Sequence, residues 1–222
     1  MMVFIGEGGT GKSHVINAFR CFARGWGIND KIRLSATSGV AAAVIGGTTW
    51  HAITKLTKDG AQHSTNKVIY EDVYMLIVDE VSMLSLHCLG AGADNLQNLC
   101  GRRGEAFGGL DLVFCGDFSQ LEPVGNSVYD QPCAKSRGKT KQFQIHGSFL
   151  WNNNINAVIE LVDLKRCTDS ALSNVLQALR TGVVSPSVFT LLNSRYYKNF
   201  DGTAPSLSTK HTCIYDTNNL VN

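Results

Sequence analysis

Short apolar runs recur along the chain: Met2-Val3-Phe4-Ile5, Ile32 to Ala36, Met75 to Val78, Leu110 to Cys115 and Ala157 to Leu161. Each has the length of a strand rather than a helix, and helical or loop-like sequence separates them. Strands alternating with helices predict a parallel sheet covered on both faces. The first run ends in Gly6-Glu7-Gly8-Gly9, a tight loop, and Lys12 to Arg24 then reads as a helix. Ala171, Leu172, Val175, Leu176 and Leu179 fall on one face of a later helix. Between these elements, Thr57 to Asn66 is polar and reads as a surface excursion. Gln131 to Lys141 carries Lys135, Arg137, Lys139 and Lys141 and reads as a loop. After Gly182 the pattern weakens. Asp201 to Lys210 resembles a linker, and Thr212 to Tyr215 a fresh strand with no evident partner. The expected organisation is an α/β domain over residues 1–182, then a linker and the opening of a second domain over 183–222.

Composition narrows the class only a little. With 222 residues, 44% hydrophobic and 17% charged, the chain can bury a sizeable core and is not a disordered tail. A formal net charge of +2 is too small to argue for nucleic-acid binding, whose footprint would be a local patch. No apolar run approaches the roughly 20 residues that cross a bilayer, and Met1 to Ile5 runs straight into the glycine loop, unlike a signal peptide. The seven cysteines (Cys21, Cys88, Cys100, Cys115, Cys133, Cys167 and Cys213) are odd in number and lack C-x-x-C spacing. They predict reduced, packing cysteines in an intracellular protein rather than a disulfide framework or a zinc site.

Gly6-Glu7-Gly8-Gly9-Thr10-Gly11-Lys12-Ser13 fits G-x-x-x-x-G-K-[ST], with a strand before it and a helix after it. Glycines let the backbone wrap close to phosphate oxygens, and the helix start offers free N–H groups and partial positive charge. Lys12 is expected to reach the terminal phosphates of ATP, and Ser13 to ligate Mg²⁺. Leu76-Ile77-Val78-Asp79-Glu80 is a strand ending in two acids, at the edge where parallel sheets bind ligands. Asp79 suits a Mg²⁺ contact and Glu80 a general base for the attacking water; read alone, the pair could equally be solvated acids. A third strand leaves through Gly116-Asp117-Phe118-Ser119-Gln120. The Gln120 amide could sense the γ-phosphate or orient water. Asp117 is either a supporting group or a turn cap, and the cap is favoured.

Taken in order, these segments resemble the petite-integration-frequency family of DNA helicases, a superfamily-one group translocating 5′ to 3′, and its Helitron relatives. Besides the glycine loop, the resemblance is carried by Ala36-Thr37-Ser38-Gly39-Val40-Ala41-Ala42 with Gly47-Thr48-Thr49-Trp50-His51, and by Ile77 to Met83. It continues through Phe107-Gly108-Gly109 with Gly116 to Val124, Leu164-Lys165-Arg166, and Leu179-Arg180-Thr181-Gly182. Thr217-Asn218 resembles the start of a second motor domain. The resemblance implies a RecA-like P-loop fold and an ATP- and Mg²⁺-dependent helicase. It also implies a monomeric motor acting on single-stranded and forked duplex DNA, with no membrane partner, in the nucleus or alternatively the mitochondrion. By the same resemblance, Thr37, Ser38 and His51 lie on the DNA track and Arg166 reaches the γ-phosphate. Trp50 is a core aromatic or a base-stacking platform, the core being favoured, and the Lys135 to Lys141 loop is solvated or touches DNA.

The sequence departs from the family pattern in places. The later motifs and the segment with an adenine-contacting glutamine have no counterpart, so the chain is expected to be a piece of a motor. Glu122 stands where the family has an uncharged residue. Two rival readings are a RecD-like helicase subunit and a non-catalytic, nucleotide-binding relic of a transposon helicase.

Overall fold

A computed structural model describes residues 1–57, 68–167 and 169–194. The expectations for 58–66, for Asp201 to Lys210, for Thr212 to Tyr215 and for Thr217-Asn218 lie outside the described residues. The elements run β1 (Met2–Gly6), α1 (Lys12–Gly25), β2 (Ile32–Ala36), α2 (Gly39–Val44), β3 (Thr48–Thr49), α3 (Trp50–Ile53), β4 (Met75–Asp79), α4 (Leu86–Leu99), β5 (Asp111–Gly116), α5 (Gly138–Asn154), β6 (Ala157–Leu161), α6 (Ser170–Thr181) and α7 (Pro186–Ser194). All five apolar runs are strands. With the two-residue β3 they form one six-stranded sheet in the order β3-β2-β4-β5-β1-β6, and every pairing is parallel.

The uninterrupted apolar runs separate by strand alternation onto two faces. Val3, Leu76, Val78, Leu112 and Phe114 join a core with Trp50 and Ile53 of α3, Leu89 and Leu96 of α4, and Leu150 and Trp151 of α5. Their neighbours Phe4, Ile77, Val113 and Cys115 pack on the opposite face with Ile16 of α1 and Ala42 of α2. A sheet apolar on both faces must be covered on both, and across β1, β4 and β5 this one is, with α1 and α2 on one side and α3 to α5 on the other; the edge strand β6 leaves Val158 and Ile159 exposed. Because all strands point the same way, the ends of β1, β4 and β5 open at one edge, and β5 lies between the other two.

The chain divides into two compact units, Met1–Arg166 and Cys167–Asn222. The sheet belongs to the first. In the second, α6 meets α7 through Val175, Ala178, Val188 and Leu191. Contacts therefore group α6 with α7. The apolar stripe of α6 is only partly used, since Leu172, Leu176 and Leu179 are exposed. Among the described residues no single helix is long and apolar enough to cross a membrane.

Gln131 to Lys141 departs from the expected loop, because its last four residues form the first turn of α5. This helix carries no amphipathic stripe. It is held from Gln144 onward, where Gln144, Gly147, Ser148, Leu150 and Trp151 are buried and the last two join the core of the sheet and α4, so tertiary packing overrides a polar start. Trp50 is a core residue: it is fully buried, and its Nε1 donates to the Cys88 carbonyl at 2.9 Å. The six cysteines among the described residues are free thiols. Burial pushes Cys115 up to about 12 and Cys100 up to about 11, which keeps both as inert packing groups.

Candidate active site

The glycine loop leaves β1 and enters α1 without a side-chain cap. Gly11 occupies the N-cap position at φ 104°, and no acid sits in the first turn. The leading N–H groups of α1 are thus presented to an anion rather than to the helix's own side chains. Thr10 closes the loop from within, its N–H and Oγ1 both donating to the Glu7 carbonyl at 3.3 and 2.9 Å. Lys12 Nζ donates to the carbonyls of Gly6 and Glu7 at 2.7 and 3.0 Å, which holds the ammonium over the loop. Gly9, at φ 96°, is covered by the segment after β6. The Lys165 N–H donates to its carbonyl at 2.9 Å, and a Cβ on Gly9 would lie 2.7 Å from Arg166 Cβ.

The acids come from the end of β4. Asp79 is buried and accepts the Glu80 N–H at 2.9 Å. Glu80 leaves the strand in the left-handed conformation, φ 57° and ψ 43°, uncommon for a residue with a side chain and often a mark of a functional constraint. Burial raises the Asp79 carboxyl above its ordinary range, opposed by the Glu80 N–H and the Lys12 charge. Glu80 is raised by burial first and by the Asp79 charge second; Lys12 opposes this and Asp117 adds to it. Two carboxyls side by side resist sharing full ionisation, and a cation between them relieves the conflict.

From the end of β5 comes the turn that carries Gln120. Asp117 is buried; its Oδ1 accepts the Ser119 N–H at 3.0 Å and its Oδ2 accepts from Gln120 Nε2 at 3.3 Å. Asp117 is thus the turn cap that the sequence favoured, and it also orients the Gln120 amide. Glu122, the residue that departs from the family pattern, accepts from the Tyr129 hydroxyl at 3.3 Å.

These parts converge. A cleft of about 440 Å³ is lined by Gly8, Gly9, Gly11, Lys12, Ser13, His14, Asn17, Asp79, Glu80, Gln120, Lys165 and Arg166. Lysine, hydroxyl, both acids, amide and arginine therefore share one cavity at the strand ends, although they are drawn from four strands' termini. Gly6 and Thr10 shape the loop behind it. His14 and Asn17 were not singled out in the sequence, and Lys165 entered only within Leu164-Lys165-Arg166, with no role assigned to it. The first two follow Ser13 on the opening turns of α1, so the register of the glycine loop was the signal that could have found them. Among the described residues no three His, Cys, Asp or Glu side chains form a metal cluster. The oxygen donors Ser13 and Asp79 facing one cleft nonetheless suit Mg²⁺, which is commonly held by one or two protein oxygens together with substrate phosphates.

Thr37, Ser38 and His51 do not line this cleft. Ser38 caps α2, accepting the Ala41 N–H at 3.2 Å. It borders a second cleft of about 410 Å³ that shares Ser13, Asp79, Glu80, Gln120 and Arg166 with the first. Half-buried His51 has Nε2 at 3.8 Å from Cys88 Sγ. Thr37 Oγ1 donates to the Glu80 carbonyl at 2.8 Å.

Comparison with known proteins identifies the family. A family profile described as PIF1-like helicase matches residues 1–184. The chain is 31% identical over 197 residues to the ATP-dependent DNA helicase PIF1 of Danio rerio, covering 83% of this chain and 28% of that protein. It is 28% identical over 219 residues to the ATP-dependent DNA helicase RRM3 of Saccharomyces cerevisiae, covering 91% of this chain and 28% of the relative. Among solved structures it is similar to the Pif1 helicase from Candida albicans, with a TM-score of 0.63 and 26% identity over 84% of this chain and 42% of that one. It is also similar to a Bacteroides Pif1 helicase in complex with ADP-AlF3 and ssDNA, with a TM-score of 0.68 and 21% identity over 87% of this chain and 45% of that one. The chain spans less than a third of the curated relatives' length and under half of the solved ones.

Proposed function

Because the chain belongs to the PIF1-like helicase family, we propose that its cleft binds and hydrolyses ATP as the first half of a motor that moves 5′ to 3′ along single-stranded DNA and opens forked duplexes. The single observation carrying this reading is the convergence of Lys12, Ser13, Asp79, Glu80, Gln120 and Arg166 on one cavity. In this reading the loop from Gly8 to Ser13 cradles the phosphates with backbone N–H groups, and Lys12 exchanges its loop carbonyls for terminal phosphate oxygens. Ser13 and Asp79 would hold Mg²⁺, which neutralises phosphate charge when bound. Glu80 takes the proton of the attacking water, and its raised carboxyl pKa brings it nearer to the range of an effective base. Gln120, oriented by Asp117, positions that water. Arg166, carried directly above Gly9, stabilises charge on the transferred phosphoryl group.

We further propose that single-stranded DNA passes along the segment that opens at Thr37 and runs through Ser38 to His51, gripped through its backbone without reading of sequence. The motor works as a monomer, with residues 1–182 as its first domain and 183–222 as linker and opening of the second. Its compartment is one that holds DNA: the nucleus, or alternatively the mitochondrion.

ATP turnover with and without single-stranded DNA tests the reading. DNA-stimulated hydrolysis abolished by Lys12→Ala supports it. Turnover unchanged in that variant refutes it, and nucleotide binding without turnover in the parent chain points instead to a non-catalytic relic.

A further inference from the structure

Thr37 lies just beyond β2, whose neighbour in the sheet is β4, and the register pairs Ala36 with Asp79. One residue past that pair the two chains should part, because Glu80 turns into the left-handed conformation. They stay joined instead. The Thr37 N–H donates to the Asp79 carbonyl at 3.3 Å, and the Thr37 hydroxyl donates to the Glu80 carbonyl at 2.8 Å. The first bond continues the strand ladder. The second takes over at the residue where the ladder's geometry fails. Glu80 O also accepts the Met83 N–H at 3.1 Å, so one carbonyl both starts the following turn and is tied to the neighbouring strand.

We propose that Thr37 is a positioning residue for hydrolysis: its hydroxyl fixes the Glu80 backbone in the conformation that aims the general base into the nucleotide cleft. This deepens the functional reading of the cleft and rests on Glu80 acting as that base. A threonine hydroxyl has one proton, and here the Glu80 carbonyl receives it. Phosphate oxygens only accept, so while this bond stands Thr37 has no proton to donate to a DNA backbone. Its role is therefore distinct from the DNA contact that family resemblance implies. The requirement is for a donor on a short side chain at the end of β2. Serine meets that requirement; valine, equally branched and able to keep the backbone bond, does not.

The test compares Thr37→Val, Thr37→Ala and Thr37→Ser in the intact chain. It measures ATP turnover at saturating oligo(dT), KM for ATP, and oligo(dT) affinity by fluorescence anisotropy. Hydrogen exchange of the 80–84 amides is followed in parallel without nucleotide. In Thr37→Val and Thr37→Ala, turnover should fall by roughly ten- to a hundredfold, the scale of a misplaced catalytic group, with KM and oligo(dT) affinity within about twofold of the parent. Exchange at 80–84 should quicken at least several-fold, and Thr37→Ser should restore both properties. Weakened oligo(dT) binding with unchanged turnover at saturation would overturn the proposal and make Thr37 a DNA contact. Equal defects in all three variants would also overturn it. If the parent chain hydrolyses no ATP, the motor reading fails by itself, and the exchange measurement still decides this inference: unchanged protection at 80–84 in Thr37→Val refutes it.

Discussion

Replacing Gly9 by alanine tests how the arginine is delivered to the cleft. Gly9 sits at φ 96°, where an L side chain costs about 1–2 kcal/mol. The new Cβ would also lie 2.7 Å from Arg166 Cβ, whereas ordinary contact begins at 3.4 Å. Cβ is fixed to the backbone, so no rotamer relieves the overlap, and the segment carrying Arg166 must retreat by about 0.7 Å (3.4 less 2.7). The bond from Lys165 N–H to the Gly9 carbonyl resists that retreat and shares the strain. A displacement approaching 1 Å at a catalytic group costs up to about a hundredfold in rate, or about 2.7 kcal/mol of transition-state stabilisation. DNA-stimulated turnover of Gly9→Ala should fall by ten- to a hundredfold, while binding of a non-hydrolysable ATP analogue weakens by less than about tenfold. A double-mutant cycle with Arg166→Ala then identifies the route. If Gly9 acts by displacing Arg166, the double variant is little worse than Arg166→Ala alone. Fully additive losses would refute the argument and assign the effect to the phosphate cradle.

Glu80→Gln should retain nucleotide binding and lose hydrolysis by about 10²–10⁴-fold, the usual contribution of a general base; lost binding would make Glu80 structural. The Asp79 pKa is raised above 3.8, chiefly by burial. Its contribution to the stability of the nucleotide-free chain is therefore full below that value and lost as pH rises through the raised one. Thermal melts should accordingly find Asp79→Asn more stable than the parent at neutral pH, with the gap closing in acid; a less stable Asn variant at pH 7 contradicts this. Gly90 of α4 and Gly147 of α5 face each other's helix backbone with no room for a Cβ. Gly→Ala within a helix normally stabilises by about 1 kcal/mol, but at either site overpacking should reverse the sign and cost about 1–3 kcal/mol in urea denaturation.

The sequence by itself determined five of the six strands, all but the two-residue β3, together with the glycine loop and the identity of the chemical groups. Those features are local: an apolar run has a length, a phosphate loop has fixed spacing, and an acid at a strand end is adjacent to its strand. Lys12, Asp79, Glu80 and Gln120 could be named on those grounds, and Arg166, Thr37, Ser38 and His51 only through resemblance. Helices α4 and α5 were less legible, because glycines and polar residues blur their periodicity and their support comes from packing on one another at Gly90 and Gly147. Only tertiary structure decided which strands are neighbours. By placing β5 between β1 and β4 it gathered residues more than a hundred positions apart into one cleft. It also laid Arg166 on Gly9 and bonded Thr37 to the Glu80 carbonyl. Such contacts depend on strand order and register, which short-range pattern does not encode, because a hydrogen bond between strands carries no record of how far apart its partners lie in the chain.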